Sequence, residues 1–165
     1  MPALRAILAA ALLLGGPSAA AGPTQAATLE VGPPAGGEPY VRRAVKVGDT
    51  VTYRFVHSVS RTPVEEAWAV VEEAGRPALR LRSVSYQSTG AGLPSGPEVP
   101  GATFEASAKG FLVRGLDRLV GLPLDLRVSP EAENALRIGD ETIDLTRFPA
   151  PSGGGPASLV RLTLR

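Results

Sequence analysis

Apolar and polar side chains alternate along most of the chain from residue 40 onward. A period of two is typical of half-buried β-strands, because neighbouring side chains of a strand point to opposite faces. The alternation predicts strands at residues 45–47, 51–55 and 79–86. Shorter strands are predicted around 104 and at 111–113, 122–128, 136–138, 143–145 and 159–164.

Two segments are open to a helical interpretation. Residues 63–74 contain four glutamates, which are good helix formers, but the apolar residues 67–71 form an unbroken run rather than a helical stripe. We therefore interpret this segment as a strand. Residues 115–119 could form a single helical turn before Gly121.

About nine or ten short strands separated by turns indicate an all-β fold, either a small sandwich or a small barrel. The 19 glycines and 16 prolines agree with a fold rich in turns. Residues 22–39 contain Pro23, Pro33, Pro34 and Pro39 among glycines and alanines, so we interpret them as a flexible linker. Residues 40–165 are then a single β domain.

The first 21 residues have the pattern of a secretory signal peptide. Arg5 precedes an apolar stretch at 6–14, helix breakers follow at 15–17, and Ala19-Ala20-Ala21 offers small residues for cleavage. The alternative is a retained membrane anchor, but the apolar stretch is roughly half of the ~20 residues that span a bilayer. The pattern predicts export to the periplasm or the extracellular space, with no membrane span after cleavage.

Composition narrows the function further. The chain has no cysteine, which excludes a lipid anchor on an N-terminal cysteine as well as disulfides. It has 17 Lys and Arg against 16 Asp and Glu, and loss of Arg5 with the leader brings the two counts level. Nucleic-acid binding is not expected, since it usually requires a basic excess.

His57 is the one histidine and the first candidate for chemistry. It could act as a base on Ser58, but adjacent strand residues point apart, and the chain has no Gly-x-Ser-x-Gly nucleophile motif. One histidine without cysteine is too few ligands for zinc, and no loop has a calcium-type spacing of acids. We therefore predict no catalytic residues, no metal and no cofactor.

A second candidate is a pair between His57 and a downstream glutamate. If residues 61–63 form a hairpin turn, His57 lies across from Glu65 or Glu66, and cross-strand neighbours are about 5 Å apart. A carboxylate there would orient the imidazole. The pair could serve recognition, or it could be a satisfied polar pair at a sheet edge.

The loop at 88–94 is the third candidate. Gly90 and Gly92 permit close backbone approach, and exposed amides in such a loop can hold an anion, although a tight turn is the simpler interpretation. Trp68 fits a core position better than a ligand platform. The arginines of the predicted strands could line a carboxylate groove or simply face water; they are Arg80, Arg82, Arg114, Arg118 and Arg127.

Three segments carry a resemblance. They are Val51-Thr-Tyr-Arg-Phe-Val-His57-Ser58-Val59, Thr62-Pro63-Val64-Glu65-Glu66-Ala-Trp68 and Tyr86-Gln-Ser-Thr-Gly90-Ala91-Gly92-Leu93-Pro94. In this order they resemble the exported bacterial family called domain of unknown function 1850, whose hallmarks are His-Ser-Val, a following Glu and Gly-Ala-Gly-Leu-Pro. The resemblance runs from about residue 46 to 148.

The resemblance implies an accessory of tripartite ATP-independent periplasmic (TRAP) transporters of the TAXI type. The resemblance implies no known activity. Our own prediction is a non-enzymatic protein that binds the substrate-binding or membrane subunit during uptake of small solutes such as organic anions. We expect His57, Glu66 and the loop at 90–94 to come together at one sheet edge. The residues shared with the family are His57, Ser58, Glu66, Gly90, Gly92, Leu93 and Pro94. A stand-alone β-barrel that binds or hydrolyses a small ligand is the second hypothesis, and it requires these residues to line an enclosed pocket.

Overall fold

The alternating pattern folds into strands throughout the part of the chain that the computed structural model describes, residues 26–151, 153 and 155–165. The strands are β1 (Ala26–Gly32), β2 (Val41–Lys46), β3 (Thr50–Val56), β4 (Pro63–Glu73), β5 (Arg76–Tyr86), β6 (Thr103–Ser107), β7 (Gly110–Leu119), β8 (Leu124–Arg127), β9 (Ala135–Ile138), β10 (Glu141–Asp144) and β11 (Leu159–Leu164). Two short 3₁₀ turns, Pro130–Ala132 and Leu145–Arg147, complete the elements. Neither turn approaches the length and hydropathy of a membrane span, and no other helix occurs in these residues.

The strands form two antiparallel sheets. Sheet A has four strands in the order β2-β1-β11-β8, and sheet B has seven in the order β10-β9-β3-β4-β5-β7-β6. The all-β prediction is confirmed, and of the two architectures it left open the structure has the sandwich. Strand β4 confirms the interpretation of residues 63–74 as extended, whereas residues 115–119 continue β7 instead of forming a helical turn.

The core lies between the inner faces of the two sheets. Trp68 and Leu79 from sheet B and Leu29 and Leu162 from sheet A are among its largest buried side chains. Directly opposed residues share a face, so Val51, Trp68 and Leu81 form one inner row across β3, β4 and β5. Trp68 is therefore a core residue, as its place in an apolar run predicts.

The predicted linker is wrong over β1, which is a central strand of sheet A. Leu29 and Val31 are each 1% exposed, and β1 pairs with β2 on one side and β11 on the other. The burial of Leu29 and Val31 stabilises β1 as a strand, although the apolar pattern is short and turn-forming residues surround it. The folded domain thus includes Ala26 and does not begin at residue 40; residues 22–25 and the predicted signal peptide at 1–21 lie outside the described residues.

Candidate functional site

The connection between β3 and β4 holds His57 at its base. The His57 amide donates to the Thr62 carbonyl at 2.9 Å, and the Arg61 amide donates to the His57 carbonyl at 2.9 Å. Arg61 adopts a positive φ of 57°, which lets the six-residue loop reverse direction. These bonds fix the backbone on both sides of the imidazole.

Both ring nitrogens of His57 are hydrogen-bonded within the chain. The Ser60 amide donates to Nδ1 at 3.2 Å, and Nε2 lies 3.1 Å from the Ala91 carbonyl oxygen. An amide N–H only donates and a carbonyl only accepts, so Nε2 carries the proton and Nδ1 is bare. The residue as a whole is 9% exposed. The His57 ring therefore joins the two loops through hydrogen bonds at both nitrogens.

The partner loop is a tight turn built on two glycines. The Leu93 amide donates to the Gly90 carbonyl at 3.1 Å, and Gly92 has a φ of +84° at the third turn position, where type II turns require it. A β-carbon at Gly90 would lie 2.9 Å from Cε1 of His57. Glycine is thus the one residue type that, at position 90, lets the loop backbone lie against the imidazole ring.

We call this contact the histidine clasp, made of His57, Ser60, Gly90 and Ala91. Below it, the Tyr86 hydroxyl donates to the Pro94 carbonyl and Pro94 is buried, while Leu93 packs against the core. The predicted grouping of His57 with the loop at 90–94 therefore occurs. The clasp is already filled, since there is no room for even a methyl group between its two loops.

The two remaining residues of the hairpin loop project outward. Ser58 is exposed, and Val59 is 73% exposed, the higher of the two large apolar side chains that stand out from the described surface. The other is Leu119 at 51%, which pairs with Arg80 toward the opposite end of the sheet B strands. The clasp therefore presents an apolar tip at one end of sheet B.

The predicted pair between His57 and Glu66 does not form. Strand β3 pairs Val56 with Pro63, so the loop spans residues 57–62 and His57 lies beyond the ladder rather than within it. Glu66 lies opposite Tyr53, and Glu65 lies opposite Arg54. The predicted turn at 61–63 was too short, and the longer loop moves His57 away from both glutamates.

Glu66 instead belongs to the inner face of sheet B. Its cross-strand neighbours Tyr53 and Val84 are core residues, and the Trp68 Nε1–H donates to its carboxylate at 3.0 Å. Burial raises the pKa of Glu66, and the Trp68 hydrogen bond and the positive charge of Arg118 oppose that rise. Burial likewise raises the pKa of Tyr53 to about 12, against a hydrogen bond from the Asn134 amide at 2.8 Å.

Glu66→Gln is expected to raise the free energy of unfolding, relative to the wild type, by more at neutral pH than at acid pH. Because the folded-state pKa lies above the unfolded value of 4.5, the carboxyl contributes its full stability below 4.5 and loses it as pH rises through the folded pKa. The amide removes that loss, while its oxygen can still accept from Trp68. Urea unfolding between acid and neutral pH, followed by the fluorescence of the single Trp, measures the difference. A gap between variant and wild type that is the same at every pH would contradict this account, and Glu65→Gln is the control.

Sequence reasoning missed three partners of the predicted site. Ser60, Ala91 and Tyr86 supply backbone or hydroxyl groups, which have no recognisable residue-type signal; the His57-x-x-Ser60 spacing is the one local hint. Of the arginines considered for a groove, Arg80, Arg82 and Arg114 are engaged in ion pairs with acidic side chains. No group of three or more His, Asp or Glu in the described part of the chain is arranged to hold a metal ion.

Comparison with known protein families identifies a family whose model matches this chain. The family described as Domain of unknown function (DUF1850) matches residues 51–145, more than half of the chain. No curated protein and no solved structure matches. The matched residues run from β3 to β10, so they contain the histidine clasp and nearly all of sheet B, whereas β1, β2 and β11 of sheet A lie outside them.

Proposed function

The chain belongs to the domain of unknown function 1850 family, and from that premise we propose that it is an exported, non-enzymatic accessory of a TAXI-type TRAP transporter. It works in the periplasm or outside the cell, and it binds the substrate-binding protein or the membrane subunit of the transporter. The leader-like pattern at residues 1–21 supports export. The proposed role is assistance in uptake of small organic anions.

The observation that carries the proposal is the exposed tip above the histidine clasp. Two hydrogen bonds to the His57 ring and the close approach of Gly90 hold the loop that bears Ser58 and Val59. A pre-ordered apolar side chain on a rigid loop loses little conformational entropy on binding, which favours a protein partner.

The geometry favours a partner surface over an enclosed ligand site at these residues. A ligand pocket would need space between His57 and the Gly90 loop, but a single β-carbon already meets the ring at 2.9 Å. Hydrolysis would need the imidazole to take a proton from a nucleophile. The Ser60 hydroxyl lies 3.2 Å from Nδ1, but it also lies 2.9 Å from the Thr62 hydroxyl, and the Ser60 amide donates to the same nitrogen at 3.2 Å. These groups therefore bond to one another within their own loop. These contacts support a positioning role for His57.

Site-specific photocrosslinking tests the proposal. A photoreactive amino acid replaces Val59 in the full-length chain, expressed in its own bacterium together with the transporter. We expect an adduct with the substrate-binding protein or a membrane subunit. Val59→Asp is expected to weaken co-purification of that subunit about tenfold, because it places a charge in an apolar contact, and to leave the melting temperature unchanged.

Leu119 provides the matched control. It is also apolar and exposed but lies toward the other end of sheet B, so a crosslinker there should give little or no adduct with the same subunit. Equal adducts from both positions, or no transporter subunit from Val59, would overturn the proposed surface.

A further inference from the structure

The outer face of sheet B, which faces away from the core, carries a hollow of about 230 Å³. We call it the outer hollow; its polar lining residues are Thr52, Arg54, Glu65, Glu133, Arg137 and Thr142. A hollow of about 380 Å³ adjoins it through Thr52 and Arg137, and one of about 330 Å³ adjoins it through Arg54 and Glu65. The three depressions form one trough across the middle strands of the sheet.

Strand pairing explains why the trough lies there. Thr52 on β3 lies directly opposite Arg137 on β9 and Ala67 on β4, and Arg54 lies opposite Ala135. Directly opposed residues share a face, so the small side chain of Ala135 sits beside Arg54 and leaves space between the arginines of β3 and β9. Thr142 on β10 flanks Arg137 from the other side. Two hydroxyls therefore bracket one guanidinium at the floor of the outer hollow.

Thr52 is an unpartnered buried polar group in this floor. It is only 9% exposed, it lines two of the adjoining hollows, and its hydroxyl makes no hydrogen bond to any residue that the structure describes. Buried hydroxyls in folded proteins nearly always have a partner. A partner for the Thr52 hydroxyl must therefore come from the hollow itself.

The charged side chains of the outer hollow also lack ion-pair partners among the described residues. Arg54 faces Glu65 directly across the ladder, yet neither they nor Arg137 and Glu133 form an ion pair with any described residue. Elsewhere in the same sheet Arg80, Arg82 and Arg114 are each paired with a carboxylate. The outer hollow thus brings two cations and two anions together at one place, with none of them held in an ion pair by a described residue.

We propose that the outer hollow binds a small α-amino acid as its zwitterion, with the ligand carboxylate on Arg54, Arg137 and Thr52. Arg54 and Arg137 are diagonal neighbours whose backbones lie about 7–8 Å apart, so their long side chains can bring both guanidinium groups to one carboxylate. Glu65 and Glu133 receive the ligand ammonium. A plain anion would face two carboxylates and a plain cation two guanidiniums, so a ligand that carries both charges fits best.

Ligand size follows from the volumes. Drug-sized ligands occupy pockets of about 300–1,000 Å³, and the outer hollow is smaller than that range. It accommodates the shared amino-acid head group, and the adjoining hollows accommodate a short side chain. This site lies on the outer face of the sheet and is separate from the histidine clasp, so it goes beyond the proposed function.

Calorimetric titration of the full domain with L-alanine, L-serine and L-glutamine tests the inference. At least one is expected to bind saturably. Propionate and ethylamine, which keep only one charge of alanine each, should bind at least tenfold more weakly than that amino acid. Arg137→Gln and Thr52→Val should each weaken the binding about tenfold, as expected for loss of a hydrogen bond to a charged group.

Arg127→Gln is the matched control, because Arg127 is also an exposed strand arginine without an ion pair among the described residues but lies in sheet A. It should leave the affinity unchanged. Absence of binding by all three amino acids, propionate binding equal to that of alanine, or unchanged affinity in Arg137→Gln would each overturn the proposal. Since the Val59 crosslink needs no ligand, such a failure would leave the transporter proposal standing.

Discussion

Gly90→Val is expected to lower the free energy of unfolding by about 3 kcal/mol. Overpacking a filled site costs about 1–3 kcal/mol, and a displaced buried hydrogen-bonding group costs about 1–3 kcal/mol more. Both apply here, because a β-carbon at Gly90 would lie 2.9 Å from Cε1 of His57 and would push the ring away from the Ala91 carbonyl. Urea unfolding, followed by the fluorescence of Trp68, measures the loss.

Two variants separate this steric cause from a general effect on the loop. Gly96 lies in the same connection with open space around its missing β-carbon and no positive φ, so Gly96→Val should cost little. His57→Ala removes the ring, so Gly90→Val should cost at least 1 kcal/mol less in that background. Equal losses for Gly90→Val and Gly96→Val, or strict additivity with His57→Ala, would show that the clasp is not the reason for Gly90.

The strands with clear alternation were predictable from the sequence, and β1 was not. Val51, Tyr53 and Leu81 alternate with polar residues over long enough stretches to predict half-buried strands. Leu29 and Val31 are too few for such a pattern. Their strand is stabilised by β11, which ends at the other end of the chain, and the Thr28 and Arg165 backbones exchange hydrogen bonds of 2.7 and 3.0 Å. Only tertiary pairing identifies it.

The candidate site was likewise predictable from the sequence only in part. The approach of His57 to Gly90 was expected, because both residues belong to the segments that carry the family resemblance. The position of Glu66 was not, because it depends on a hairpin whose loop has six residues rather than a tight turn. A longer loop removes His57 from the ladder without changing which residues alternate. The outer hollow was beyond local reasoning, because it requires Thr52 to meet Arg137 from a strand far along the chain.

Trp68→Ala is expected to have the largest effect of any single truncation in sheet B, about 4 kcal/mol. Trp68 is 2% exposed, stacks on Tyr53 with ring centroids 5.5 Å apart, and lies between Val51 and Leu81 on the inner face. Its removal leaves a cavity between the sheets and deprives Glu66 of its donor. Chemical unfolding followed by circular dichroism checks the loss.

Trp68→Phe distinguishes packing from the hydrogen bond. Phenylalanine retains most of the aromatic volume but has no N–H, and the Trp68 hydrogen bond is the main influence that lowers the pKa of Glu66. Without it the folded pKa rises further above the unfolded value of 4.5, so the variant should lose more stability than the wild type as pH rises from acid to neutral. The cost of Trp68→Phe should therefore be smaller at acid pH than at neutral pH, and the difference should disappear in a Glu66→Gln background. A cost that is the same at both pH values would mean that the Trp68–Glu66 bond does not favour the ionised carboxylate over the protonated carboxyl, which would contradict this account.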